Sequence, residues 1–215
     1  MMRRTQTIAI FLAALLLLLP LYGCTRENAS TTSAFEPIIT RDELKEQVEK
    51  GEIPGIPIKL NQSVQSVKEY YHYGDPAYGY EGTTAAGAST ATTADEEVDF
   101  LTIVEMDGYN KLLAGDAGYC YKADREADGI SAVVSFSEAY GFATSLSTEQ
   151  EVEQSLGTAD EILDSPGKSD LFFIIGQPQN AKLIRYSFGN HRVDFLMVDG
   201  MLSAVALINT ETWGK

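Results

Sequence analysis

The chain has 215 residues with 31 Asp and Glu against 16 Lys and Arg, a formal charge of −15 at pH 7. So acidic a surface repels nucleic acid and anionic phospholipid alike, which disfavours polyanion binding; it favours cationic partners or metal ions, or serves simply as a solubility device, the reading of greater weight. The length beyond the polar linker, about 180 residues, is enough to bury a core as one domain or two small ones.

Arg3 and Arg4 precede an apolar run from Ile8 to Leu19, then Pro20 and Leu21-Tyr22-Gly23-Cys24. This positive, apolar, small-residue order is that of a secretory signal. A membrane-spanning helix needs roughly 20 apolar residues, and the run falls short of that. The ending resembles the lipobox of bacterial lipoproteins, in which the thiol of the new amino terminus receives a diacylglycerol. Leu21, Gly23 and Cys24 match, while Tyr22 is bulkier than the residue usual there. The resemblance implies a signal peptide over residues 1–23, lipid on Cys24 and a position at the extracytoplasmic face of the cell membrane. Loss of Arg3 and Arg4 leaves 16 minus 2, or 14, Lys and Arg against 31 acids, a mature charge of −17. With Cys24 acylated, Cys120 is the only other thiol, so no intramolecular disulfide is expected. In Gly118-Tyr119-Cys120-Tyr121 it reads as a small strand hydrophobe rather than a nucleophile.

Residues 24–35 are small and polar and form a tether. Thr40-Arg41-Asp42-Glu43 is a capping box, with Leu44 and Val48 on one face of a short helix closed by Gly51. Ile53-Pro54-Gly55-Ile56-Pro57-Ile58 contains two prolines and reads as extended chain. Ser63 caps a helix of about three turns carrying Val64, Val67 and Tyr71 and stopped by Gly74-Asp75-Pro76. Residues 82–97, rich in Thr and Ala, read as an inserted loop.

Strand patterns follow at Phe100–Val104, Tyr109–Leu113, Gly118–Tyr121 and Ile130–Phe136, with a turn at Met106-Asp107-Gly108. Ser147-Thr148-Glu149-Gln150 repeats the capping-box logic before Val152, Leu156 and Gly157. Leu171–Ile175, Lys182–Phe188, Arg192–Val198 and Met201–Ile208 then read as strands joined at Gly189-Asn190 and Asp199-Gly200. Asp-Gly is the type I′ hairpin signal, since both central residues need positive φ. The order helix then strands occurs twice. The fold expected is therefore α+β: two tandem helix-then-antiparallel-strands units, about 36–141 and 142–215, with helices on one side of the sheet.

Gly51–Ile58, the Val67 to Pro76 helix exit and the Val152 to Gly157 element resemble the domain of unknown function 4309 family of secreted Bacillus-type proteins. The resemblance covers about residues 40–208. More distantly, the order is similar to the units of beta-lactamase inhibitory proteins and of BamE-type assembly lipoproteins. Those relatives bind other proteins, which implies an envelope protein or peptide as partner.

Asp124-Arg125-Glu126-Ala127-Asp128-Gly129 imitates the opening of a calcium loop, making Asp124, Glu126 and Asp128 the metal candidates. Its twelfth position is Ser135 where a bidentate acid is needed, and strand rather than helix follows, so a plain acidic turn is the competing reading. There is no Gly-x-Ser-x-Gly elbow, zinc helix, phosphate loop or dinucleotide glycine pattern, so no cofactor is implied. His72 and His191 read as surface residues. Tyr70, Tyr73, Tyr78 and Tyr80 form a dense cluster suited to recognition, or to packing under the sheet. These features favour a lipid-tethered binding module. The alternatives are a carboxylate-based envelope hydrolase and an acidic cation-binding surface protein.

Overall fold

The computed structural model describes residues 37–75, 101–106, 108–164 and 180–213. The signal peptide, Cys24, the tether, Tyr78, Tyr80, the loop at 82–97 and the strand expected at Leu171–Ile175 lie outside the described residues.

Three short helices occur among the described residues: α1 (Arg41–Glu49), α2 (Val64–Tyr70) and α3 (Glu149–Leu156). The α1 capping box is as the sequence indicates, with the Thr40 side chain accepting from the Glu43 amide and Glu43 accepting from the Thr40 amide. At α3 the box is one residue later, Thr148 with Glu151. The stretch 147–151 holds two overlapping boxes, and the Ser147 hydroxyl is engaged by the amide of Ala143 at 3.0 Å, which leaves Thr148 to cap. Helix α2 ends at Tyr70, short of the expected three turns. His72 takes φ 51°, and the Tyr73 amide donates to the Lys68 carbonyl at 2.8 Å, a left-handed closure in which His stands where Gly is usual.

The rest is sheet. Strands β1 (Thr102–Met106), β2 (Tyr109–Ala114), β3 (Ala117–Lys122), β4 (Ala132–Ser135), β7 (Glu161–Asp164), β8 (Ala181–Phe188), β9 (His191–Val198) and β10 (Met201–Asn209) make one sheet in the order β1-β2-β3-β4-β10-β9-β8-β7. Every pairing is antiparallel. A minute second sheet pairs β5 (Glu138–Ala139) with β6 (Phe142–Ala143). Asp199 and Gly200 both adopt positive φ, 52° and 81°, as the type I′ signal requires.

This architecture overturns the α+β expectation of two tandem helix-strand units: the described residues are mostly β, an eight-stranded antiparallel sheet and a two-stranded one with three short helices. The physical reason lies in α1. It is first in sequence, yet it lies against β8 and β9. Arg41 reaches Asp160 at 2.7 Å and the Thr158 carbonyl at 3.0 Å, while the Ile38 amide donates to Ser155 Oγ at 3.1 Å. The helix that would head a first unit therefore serves the far half of the sheet.

Two cores result. The helix-bearing face buries Leu44, Val48, Val67, Tyr119, Phe142, Tyr186 and Phe195 in one cluster. Phe195 takes edge contacts from Phe142 at 5.4 Å and Tyr186 at 5.9 Å. The opposite face carries Cys120, Val134, Leu183, Leu196, Ile208 and Trp213 in a second. Full burial of such side chains stabilises by about 1.5–3 kcal/mol each.

Candidate functional site

Leu44 and Val48 turn one stripe of α1 into the core. Residues Glu43, Glu46, Gln47 and Lys50 then face an open cleft of about 940 Å³. The cleft is also lined by Pro54, Ile56 and Pro57 and by the small residues Ala114, Ala117 and Ala139.

The segment is held in place by backbone bonds. The Leu60 amide donates to the Gly51 carbonyl at 2.8 Å, and the Ile56 amide to the Ile53 carbonyl at 3.0 Å. Tyr140 Oη donates to the Glu52 carbonyl at 3.1 Å, clamping the segment to the β5–β6 turn. That phenol stays neutral because burial, and then the Glu52 carboxylate, push its pKa up. The turn is tight: Tyr140 sits at φ 55°, and at Gly141, φ 84°, a Cβ would fall 2.8 Å from Ile38 Cγ2.

Acids outnumber bases around the cleft, with Glu43, Glu46, Asp116 and Glu138 against Lys50 among its described lining residues. Glu43 is committed elsewhere. Hydrogen bonds from the Thr40 amide at 2.8 Å and the Thr40 hydroxyl at 2.7 Å hold its carboxyl below the usual range. Glu46, Asp116 and Glu138 have no ion-pair partner among the described residues. Gln47 Oε1 is buried and accepts no hydrogen bond among them.

Of the sequence-predicted tyrosines, Tyr70 and Tyr73 are 56% and 40% exposed. They flank Tyr71, which lines the cleft, hydrogen-bonds Tyr119 Oη at 2.8 Å and meets Tyr70 edge-on at 5.0 Å. Tyr71, outside that cluster, is thus the tyrosine that reaches the cleft.

The acidic turn holds a short 3-10 segment, Glu126–Asp128, with Asp124, Glu126 and Asp128 all exposed. Glu126 pairs with Lys68 at 3.7 Å. Among the described residues, no group of three or more His, Cys, Asp or Glu is placed to hold a metal ion. His72 is exposed after α2, and His191 opens β9. Cys120 is 1% exposed, and burial pushes its thiol up to about 12, with Lys111 opposing. Among the described residues, no helix is long and apolar enough to cross a membrane.

A buried ion network went unnoticed in the sequence. Arg185 grips Asp194 through two hydrogen bonds of 2.8 and 3.0 Å and also reaches Glu161 at 2.6 Å, while Arg192 lies 3.3 Å from Asp194. The signal was present: a two-residue turn at Gly189-Asn190 sets Arg185 opposite Asp194 across the hairpin. No comparable signal marks the cleft, where the neighbouring stretches 43–50 and 54–57 meet lining residues at 114–117 and 135–141, far along the chain.

Neither a family model nor a curated protein matches the chain. Among solved structures, a DUF4309 family protein (YjgB) from Bacillus subtilis subsp. subtilis str. 168 is similar, with 16% identity over 78% of this chain and 94% of that chain, and a TM-score of 0.44.

Proposed function

We propose that the protein is a lipid-anchored extracytoplasmic binding module, tethered through Cys24, which takes a segment of an envelope protein or peptide into the cleft beside α1. The observation that carries the binding reading is the cleft of about 940 Å³, lined by Tyr71, whose sequence neighbours Tyr70 and Tyr73 are exposed. Clefts of such size with a few placed polar groups are where proteins take ligands, and tyrosine offers large contact area at small entropic cost. The anchor reading is supported by the lipobox-like Leu21-Tyr22-Gly23-Cys24.

Mass spectrometry of the protein purified from its own envelope tests the anchor: a diacylglycerol on Cys24 is expected, and an intact leader or bare thiol refutes it. Affinity purification of the anchored protein tests the cleft. One stoichiometric partner is expected, lost when Tyr70→Ala and Tyr73→Ala are combined although melting is unchanged. Retention of that partner by the double variant removes the tyrosines from the site.

A further inference from the structure

We infer that two copies of this protein pair edge to edge through β1, antiparallel and about a two-fold axis at Val104; this pairing adds to the cleft reading and does not rest on it. Among the described residues, β1 is an outer strand of the large sheet and pairs with β2 alone. Which of its backbone groups face outward follows from the neighbouring hairpin. Residues 115–116 join β2 to β3, and a two-residue loop closes on a hydrogen-bonded pair, here Ala114 with Ala117. The Phe136 amide, which donates to the Asp116 carbonyl at 2.8 Å, puts β3 in the same phase. Alternation therefore turns the backbone groups of Asn110, Leu112 and Ala114 toward β3, and those of Lys111 and Leu113 toward Val104 and Thr102 on β1. The amides and carbonyls of Ile103 and Glu105 are left pointing outward, and neither residue makes a further backbone hydrogen bond among the described residues. Such a row is a template for another strand.

The edge selects a second copy through its own symmetry. Reversed about Val104, the outward row matches itself: Ile103 of each copy stands opposite Glu105 of the other, and each such pair exchanges two N–H···O bonds. Between them Val104, 37% exposed, meets its own counterpart in the closer, non-hydrogen-bonded pairing. No acid stands directly opposite an acid in this register, since exposed Glu105 faces half-buried Ile103. The other edge of the sheet is guarded by charge. Strand β7 carries Glu161 and Asp164 in four residues, with Asp160 just before it, and clustered acids oppose self-pairing. Strand β1 has one acid in five residues and neither Pro nor Lys, so it lacks the devices that shield an edge. So short an edge buries little area, and the dimer is expected to dissociate on dilution. The two Glu105 side chains lie diagonal to one another on one face, so added salt should tighten it.

Disulfide trapping in the full-length protein in detergent tests the register. With copper phenanthroline as oxidant, Val104→Cys should give a crosslinked dimer, because Cβ atoms in a directly opposed pair stand about 4.5 Å apart, within reach of a disulfide. Ile162→Cys on β7, 46% exposed in the native chain, should give none, and buried Cys120 leaves the unsubstituted protein uncrosslinked. Sedimentation of the unsubstituted protein should show a dimer that forms with rising concentration and more readily at high salt. Glu105→Pro removes one outward amide per copy and spares the β1–β2 ladder, so it should weaken the dimer about tenfold. Val104→Lys, which sets like charges opposite each other at the axis without touching the backbone, should weaken it at least as much. Trapping at Ile162→Cys equal to that at Val104→Cys would overturn the inference. So would a dimer that survives both Glu105→Pro and Val104→Lys, or a protein monomeric at every concentration and untrapped at Val104→Cys.

Discussion

Asp194 is a fully buried carboxylate, and the fork of Arg185 is what makes its burial tolerable. Asp194→Ala strips the buried carboxylate that Arg185 and Arg192 share and leaves Arg185 only the exposed Glu161 of those two acids, so it should cost about 3 kcal/mol by denaturant titration. Replacing both, as Arg185→Met with Asp194→Leu, should recover part of that loss, because the apolar pair escapes the desolvation penalty while Arg192 still loses the carboxylate 3.3 Å away. Gly129 is constrained differently: at φ 75° an added Cβ would lie 2.6 Å from the Gln62 carbonyl oxygen. Gly129→Ala should therefore destabilise by about 2–3 kcal/mol, from backbone strain plus the clash. Cys120 supplies a pH test. The native thiol holds its proton to about 12, whereas the ordinary value is 9.0, so the unfolded chain ionises first as pH rises. The stability it contributes is complete below the lower value and lost between the two. Ellman's reagent at pH 8 should accordingly find Cys120 unreactive until the protein unfolds.

At the scale of elements, the caps argue that local chemistry chose the helix starts. Thr148→Ala should cost about 1 kcal/mol, read as a shift in denaturant midpoint. The partner carboxylate, Glu151, is held below its ordinary 4.5 by the Thr148 amide and then its hydroxyl. Its support is present above that ordinary value and fades as pH falls through the lower native one, so the Thr148→Ala penalty should shrink in acid. Starts were legible in the sequence because a capping box is a short-range pattern, and hairpins because Asp199-Gly200 demands positive φ twice. Helix ends were less so. Nothing in the spacing of Val64, Val67 and Tyr71 says that His72 will turn left-handed and stop α2 early. Periodicity also identified strands without revealing that β4, β9 and β10 are buried on both faces.

For the whole molecule, the organising fact is a single sheet in which β4 pairs with β10, joining two four-stranded meanders through their last strands. Sequence order shows helices preceding strands but carries no statement of which strands a helix covers, and α1 covers β8 and β9. The same blindness hid the cleft. Gly51–Ile58 stood out as a segment directly after α1, yet the lining residues Ala117 and Ala139 meet it only in three dimensions. The tyrosines were visible as a cluster, and their exposure at Tyr70 and Tyr73 required the fold. The central claim, that this cleft is where a partner is taken, is tested most directly by a photo-crosslinking amino acid placed at exposed Pro57 in the anchored protein within its own envelope. The account predicts a discrete adduct at Pro57 and none when the same group stands at Glu153 on α3; indistinguishable adducts at both positions, or none at Pro57, would contradict it.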